Sequence, residues 1–424
     1  MGRTFILGGG MTGLAAGYAP GLPVYEATGH PGGICCSYYM RPGSNARLNE
    51  PPPDGEAYRF EIGGGHWIFG GEPTVLEFIN RLCATKIYFR KSSVFLPDKD
   101  LYVPYPLQNH LRLLDPAIAS QALREMSRQP TPSRTMQEWL RHSFGETLCA
   151  LFFEPFHALY TAGLYDRIAP QDSYKSPVDL ALVIAGAAGG VAPVGYNTRF
   201  VYPAEGLDVL ARRMAGKCDI QYGRRARRIE PGSRRLQLDD GTVVEYDSLV
   251  STLPLGLVME MCGLSVESAP DPHTSVLVLN IGARRGPQCP DDHWIYVPGS
   301  HSGFHRVGFY SAVDAHFLPL SARASLERVG IYVERAYLPN DRPSQQEQAT
   351  YIRGVVRELQ DFGYIGDVEV VDQALGKLEE HGIFQVGRYG RWVFQGIADS
   401  LRDGFAVGTR FDGGNLRSGA SVDE

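Results

Sequence analysis

The sequence predicts an α/β fold: a parallel-sheet domain assembled from separated stretches of chain, interrupted by a helical insertion and by a second insertion that carries its own sheet. Three observations predict it. A short apolar strand near the N-terminus runs through a glycine-rich turn into a helix of small residues. A second strand of the same character, Ser248-Leu249-Val250-Ser251-Thr252-Leu253-Pro254, lies far along the chain. Between and beyond them the apolar periodicity changes from mostly helical to alternating.

The first element is the most informative. Thr4-Phe5-Ile6-Leu7 is the strand, and Gly8-Gly9-Gly10-Met11-Thr12-Gly13 places glycines in a GxGxxG pattern ahead of Leu14-Ala15-Ala16-Gly17. Gly8 permits the tight turn, Gly10 lets a pyrophosphate approach the backbone, and Gly13 allows close helix–strand packing. The diphosphate is expected on the N–H groups of the helix start, at Met11 and Thr12. Val24-Tyr25-Glu26 ends an apolar stretch with an acid placed to accept hydrogen bonds from an adenosine ribose. This is a Rossmann-like signature.

Two more glycine turns say which dinucleotide. Gly32-Gly33-Ile34-Cys35-Cys36-Ser37 can pass close to a phosphate or ribityl chain, and Glu61-Ile62-Gly63-Gly64-Gly65-His66 can lie against a flat ring. An enzyme that only borrows a nicotinamide has little need of all three turns, whereas a permanently held flavin does. FAD is the expected cofactor.

Length and composition narrow the class. A chain of 424 residues implies two or three domains. A formal charge of -6 argues against a general nucleic-acid binder. The run Arg224-Arg225-Ala226-Arg227-Arg228 precedes Ile229 and a hairpin signal at Asp239-Asp240-Gly241, and reads as a solvated strand edge, with Ala226 a cofactor contact. Met1-Gly2-Arg3 runs into the first strand without a charged-then-apolar leader, and Leu180 to Pro193 is too short for a bilayer span. The seven cysteines lack metal-ligand spacing and suggest reduced thiols, so a cytoplasmic protein without a metal site is expected.

The remaining elements follow in order. Asn45 to Ala57, with Pro51-Pro52-Pro53, reads as an exposed excursion. Glu72 to Ile184 is expected to be mostly helical, with helices at Thr74–Leu82, Ala117–Glu125 and Met136–Phe144. Leu207–Met214 is a short helix. The stretches Ser275–Ile281, Trp294–Val297 and His305–Tyr310 predict a second sheet, and Ser344 to Phe362 a long polar helix, with a last helix at Ile397–Arg402. The resulting division is an FAD-binding domain from 1–75, 200–265 and 375–415, a mostly helical cap from 76–199, and a second-sheet substrate domain from 266–374.

Taken together, Ile6–Gly13, Gly32–Ser37, Glu61–His66, Phe200–Gly206, Leu249–Leu255 and Gly387–Gly408 resemble the flavoprotein superfamily of amine oxidases, protoporphyrinogen oxidases and UDP-galactopyranose mutases. Within it, Val103-Pro104-Tyr105-Pro106-Leu107-Gln108-Asn109 is similar to the mutase VPYPxQN segment, and Gly64-Gly65-His66-Trp67-Ile68-Phe69 to its GGHVIF loop with an extra glycine. The resemblance implies Arg306 as a diphosphate contact, His66 beside the flavin ring, Arg90 reaching toward the cofactor, and Arg388 after Gly387 in a GRxGxW element near the flavin. Tyr105, Tyr160, Tyr202 and Tyr296 are the implied substrate contacts, with Tyr165 a further candidate. Phe384 and Phe394 stand where mutases place tyrosines, Glu154 where they place an arginine, and Tyr160 where a tryptophan stacks uracil.

The resemblance therefore implies a non-redox nucleotide-sugar pyranose–furanose mutase with altered substrate, in which N5 of reduced FAD attacks the anomeric carbon. An external reductant such as NAD(P)H is then required. The alternative is an FAD-dependent oxidase of an amine or alcohol metabolite, whose uncharged substrate would not need the missing tyrosines.

Overall fold

The computed structural model describes residues 3–18, 21–128, 131–170, 178–195, 197–265, 272–341, 343–373 and 397–408. Strand Thr4–Leu7 is the centre of a four-stranded parallel sheet, flanked by Ser248–Ser251 on one side and by Val24–Tyr25 and then Ile220–Gln221 on the other. Ile6, Leu7 and Val24 are essentially inaccessible, as strands covered on both faces must be. The expected parallel partner at Ser248 is therefore present, in register with Thr4. The Asp239-Asp240-Gly241 turn joins two strands of a three-stranded antiparallel sheet, Ala226–Glu230, Arg235–Leu238 and Val243–Glu245.

The second sheet is seven-stranded and larger than expected. Its order is Ile365–Gln373, Ser275–Arg285, Arg328–Tyr337, Arg306–Phe309, Trp294–Tyr296, Ser92–Leu96 and Leu101–Pro104. The last two come from the stretch expected to be mostly helical, and Thr85–Phe89 from the same stretch pairs with Arg199–Pro203. The helical expectation therefore fails for residues 85 to 104. Ser-Ser-Val-Phe-Leu is a continuous buried run too short for helical periodicity to show.

Helices form where the termini are signalled. Pro73–Leu82 starts with proline in its first turn, and Met136–Leu148 starts with a capping box between Thr135 and Glu138. Pro116–Met126 and Leu207–Ala215 extend the expected helices by one or two residues, and Gln345–Asp361 is capped by Ser344 and Glu347. After Leu148 the chain passes through a π-helical turn, Cys149–Phe153, into helix Glu154–Tyr160. Helix Leu180–Ala188 buries only Val183 and Gly186, so it lies on the surface. No helix among the described residues is long and apolar enough to cross a membrane, and none of their His, Cys, Asp and Glu side chains group as a metal site.

The pleat of Arg328–Tyr337 divides the molecule functionally. Val329, Ile331 and Val333 face a core shared with Tyr351, Val355 and Leu359 of the Gln345–Asp361 helix. Tyr332 faces the opposite core, shared with Trp67, Phe60 and Tyr310. Glu334, next but one along, continues that second face.

Candidate active site

The GxGxxG turn is held by its own backbone and by Glu26. Gly8, with φ of 100°, donates its N–H to Tyr25 O at 2.9 Å, and the Gly9 N–H donates to Glu26 Oε2 at 2.7 Å. Glu26 Oε1 accepts from the N–H and the hydroxyl of Thr28. Oε2 thus ties the turn to the end of the next strand and keeps a lone pair for a ligand, while Oε1 is filled by Thr28. The three glycines have separable tasks. A Cβ on Gly13 would lie 1.8 Å from Gly8 O, whereas one on Gly10 would meet nothing within 4 Å. Gly13 is a packing glycine; Gly10 opens onto empty space.

That space is a cavity of about 890 Å³ lined by Gly8, Gly10, Glu26, Gly33, Ala226 and Thr252, a volume suited to a large cofactor. The helix Met11–Tyr18 begins at it, and the first-turn amides of Met11, Thr12 and Gly13 have no acceptor one turn earlier. The second glycine turn locks onto the first, since Gly32 donates its N–H to Gly9 O at 2.8 Å. Arg227 and Arg228 are exposed, and Arg224 pairs with Asp240.

The third turn is clasped on all sides. The His66 ring folds back over Gly63, where a Cβ would lie 2.2 Å from Cε1, and its Nδ1 lies 3.2 Å from Gly64 O. Gly64 has φ of 82°, and a Cβ there would approach Glu334 Oε1 to 3.0 Å; one on Gly65 would lie 2.3 Å from the Tyr332 hydroxyl. The extra glycine thus has a steric cause. Strand Arg328–Tyr337 presses directly on the turn.

Beside this turn stands Arg306, whose Nε donates to Glu334 Oε2 at 2.8 Å and whose Nη2 donates to Oε1 at 2.6 Å. The expectation of a ligand phosphate as its partner is corrected to this extent: two of its three nitrogens are held by a protein carboxylate. Nη1 makes no hydrogen bond among the described residues. Desolvation pushes the Glu334 carboxyl up, but Arg306 and His305 together outweigh it and hold the carboxyl at about 2. His305 Nε2 lies 3.4 Å from the same carboxylate, and burial pushes this histidine below its usual range and keeps it neutral.

An aromatic wall continues from there. Tyr160 lies edge-on to His305 with centroids 5.2 Å apart and stacks on Phe156 at 5.5 Å. Phe156 meets Tyr296 at 5.2 Å, and Tyr296 meets Tyr105 at 5.0 Å. Tyr105, Tyr160, Tyr296 and Arg306 are therefore brought together. Tyr165 lies on the far side of His157, with centroids 6.3 Å apart.

Three other expectations need correction. Arg90 is buried and donates to Asn197 Oδ1, to Tyr105 O at 2.9 Å and to Val194 O at 3.0 Å, so it fastens the Tyr105 segment. Tyr202 is fully buried and bonds Glu61 through its hydroxyl, which removes it from any substrate wall. The Ser37 hydroxyl likewise donates to Glu61 Oε1 at 2.9 Å. Phe384, Gly387, Arg388 and Phe394 lie outside the described residues.

Glu61, Glu334, Tyr332 and His305 are the residues that sequence reasoning did not assign to the site. Glu61 is inaccessible, and desolvation raises its carboxyl to about 7 despite the donors around it. Its Oε2 has no hydrogen-bond partner among the described residues. An acid at the start of a glycine turn was the available signal for Glu61. Glu334 offered only an acid inside a strand of apolar residues.

Fold and glycine cradle together define a dinucleotide-binding flavoprotein. The pattern of the flavin-containing amine oxidoreductases matches residues 14–273, well over half of the chain, and the chain belongs to that family. FAD is its cofactor, and the open Gly10, the helix start and the cavity fit it. In overall structure the chain resembles a reduced UDP-galactopyranose mutase, with a TM-score of 0.79 at 19% identity over 97% of this chain and 95% of that one. It also resembles a putrescine oxidase variant redesigned in its cofactor binding, at 0.56 and 15% over 97% and 98%, and a CLA-producing fatty acid isomerase from P. acnes, at 0.53 and 17% over the same shares. These likenesses establish a shared fold that hosts several chemistries.

Proposed function

We propose that this chain is a non-redox flavoenzyme that interconverts pyranose and furanose forms of a nucleotide-linked sugar, with a substrate altered from UDP-galactopyranose. The observation that carries the reading is Arg306, an arginine at the start of an apolar strand with Nη1 uncommitted and an aromatic wall at its side. The greater likeness to the mutase than to the oxidase, 0.79 against 0.56, supports it. So does the Tyr105 segment packed on Tyr296.

Bound reduced FAD would supply a nucleophile, N5. The chain supplies the rest. Arg306 holds a diphosphate oxygen through Nη1 while the anomeric C–O bond breaks, a charge-assisted contact that strengthens as the leaving group gains charge. Tyr160 and Phe156 offer a stacked pair of rings to a base. Tyr296 and the buried His305 add to the wall beside Arg306. An external reductant such as NAD(P)H supplies electrons once.

The test is incubation of the FAD-loaded chain with UDP-, dTDP- and GDP-hexoses, with and without dithionite, and separation of isomers by chromatography. Isomer formation that requires reduction and yields no peroxide is the expected result. A second reading is favoured by the Arg306–Glu334 pair, which is neutral as a unit and suits an uncharged substrate: an FAD-dependent oxidase of an amine or alcohol metabolite. That reading predicts bleaching of the bound flavin by substrate, recovery of colour in air, and peroxide.

A further inference from the structure

Around the C-terminal end of strand Arg328–Tyr337 lies a second cavity of about 650 Å³. Its central group is Arg335. The guanidinium sits between two rings, 4.7 Å from the centroid of Tyr337 and 4.9 Å from that of Tyr351. Nη1 donates to Ser302 O at 3.1 Å, and Nε and Nη2 make no hydrogen bond among the described residues. Arg335 forms no ion pair among them either. A guanidinium fixed by two rings and one carbonyl loses little rotamer freedom on binding, and its remaining edge presents N–H groups in a fixed fork.

A second, independent observation points to the same space. The Tyr351 hydroxyl is buried without a hydrogen-bond partner, although the residue is only 7% exposed and belongs to the cavity lining. An unpaired buried hydroxyl is left at an energetic cost. It is therefore a donor or acceptor in need of a partner. The small side chains of Ala158 and Ala162, with Leu159, also line the cavity. Asp341 and Glu347 are also among the lining residues, and their carboxylates disfavour a polyanion.

We propose that this cavity is a binding site for a small oxyanion of low charge, a carboxylate or a phosphate monoester, held by Arg335 and by the Tyr351 hydroxyl. Its lining shares no residue with that of the cavity at Gly10. Strand pleating sends Arg335 and Glu334 to opposite faces, so one strand serves both.

The test uses the FAD-loaded chain and two probes, inorganic phosphate and acetate, titrated at constant ionic strength while the thermal unfolding midpoint is followed. A saturable rise with either probe is expected, and the more effective probe identifies the oxyanion. Arg335→Gln should weaken the apparent affinity at least tenfold and Tyr351→Phe severalfold, and a saturable response should remain in Arg306→Gln. Retention of the visible flavin spectrum reports that each variant is folded. If Arg335→Gln does not load FAD, the isosteric Tyr351→Phe decides alone. The proposal is overturned if neither probe gives a saturable response, if Arg335→Gln or, where it stands alone, Tyr351→Phe responds as the unaltered chain does, or if Arg306→Gln abolishes the response.

Discussion

Glu334 grips Arg306 along one edge of its guanidinium, oxygen to nitrogen at 2.8 and 2.6 Å, and its Oε1 also abuts Gly64 in the turn that His66 closes. One carboxylate therefore sets both the cation beside the aromatic wall and the neighbouring glycine turn. Glu334→Ala would leave Arg306 without its counter-ion. The expected loss is about 2–4 kcal/mol, toward the lower part of the range for broken buried pairs because the Arg306 side chain keeps 28% exposure. Glu334→Gln, which keeps the shape and removes the charge, should bind UDP about tenfold tighter, a gain of roughly 1.4 kcal/mol. Urea unfolding and calorimetric titration measure the two effects.

The two buried acids should respond to pH in opposite senses. Glu334 is held down at about 2, so its contribution to stability is complete above the unfolded carboxyl value and is lost as pH falls from about 4.5 toward 2. Glu61 is raised to about 7, so the folded chain holds a proton that the unfolded chain has released. Stability then declines as pH rises from about 4.5 to about 7 and levels off beyond. Glu61→Gln should flatten that decline, while Glu334→Gln should flatten the acid limb. Denaturant midpoints from pH 3 to pH 9 distinguish them.

The glycine turn offers a paired test of packing against ligand approach. Gly13→Ala places a methyl 1.8 Å from a backbone oxygen and should prevent both folding of the turn and retention of FAD. Gly10→Ala meets no protein atom within 4 Å, so the thermal midpoint of the apoprotein should be nearly unchanged while FAD affinity falls sharply. Visible absorbance after gel filtration reads FAD retention.

At the third turn, Gly65→Ala drives a methyl to 2.3 Å from the Tyr332 hydroxyl and 2.5 Å from the ring carbon bearing it. The overpacking should cost about 1–3 kcal/mol and disturb the flavin spectrum. Tyr332→Phe in the same chain should recover part of the loss, because the oxygen is removed and the ring carbon stays. A double-mutant cycle on unfolding free energies gives the coupling.

Much of the cofactor domain was legible because its signals are local. The GxGxxG turn, the acid at Glu26 and the strand at Ser248 each announce themselves within a few residues. The same held for helices with caps, such as Thr135 with Glu138. What escaped was whatever depends on partners distant in sequence. Ser92–Leu96 reads equally well as a buried helical segment, and only pairing with Trp294–Tyr296 and Leu101–Pro104 makes it a strand. Tyr202 looked like a wall residue until Glu61, 141 positions away, took its hydroxyl.

By itself the sequence determined that this chain holds a dinucleotide on a Rossmann-like sheet, since conformational freedom and close approach at glycine are properties of single residues and their spacing. Only the tertiary structure decided the charge presented by Arg306, the burial of Arg90 and Tyr202, and the clasping of Gly65 by Tyr332. Those depend on which side chains strand Arg328–Tyr337 brings within a few ångströms, and Coulomb and steric terms at that range are set by through-space neighbours, not by order along the chain.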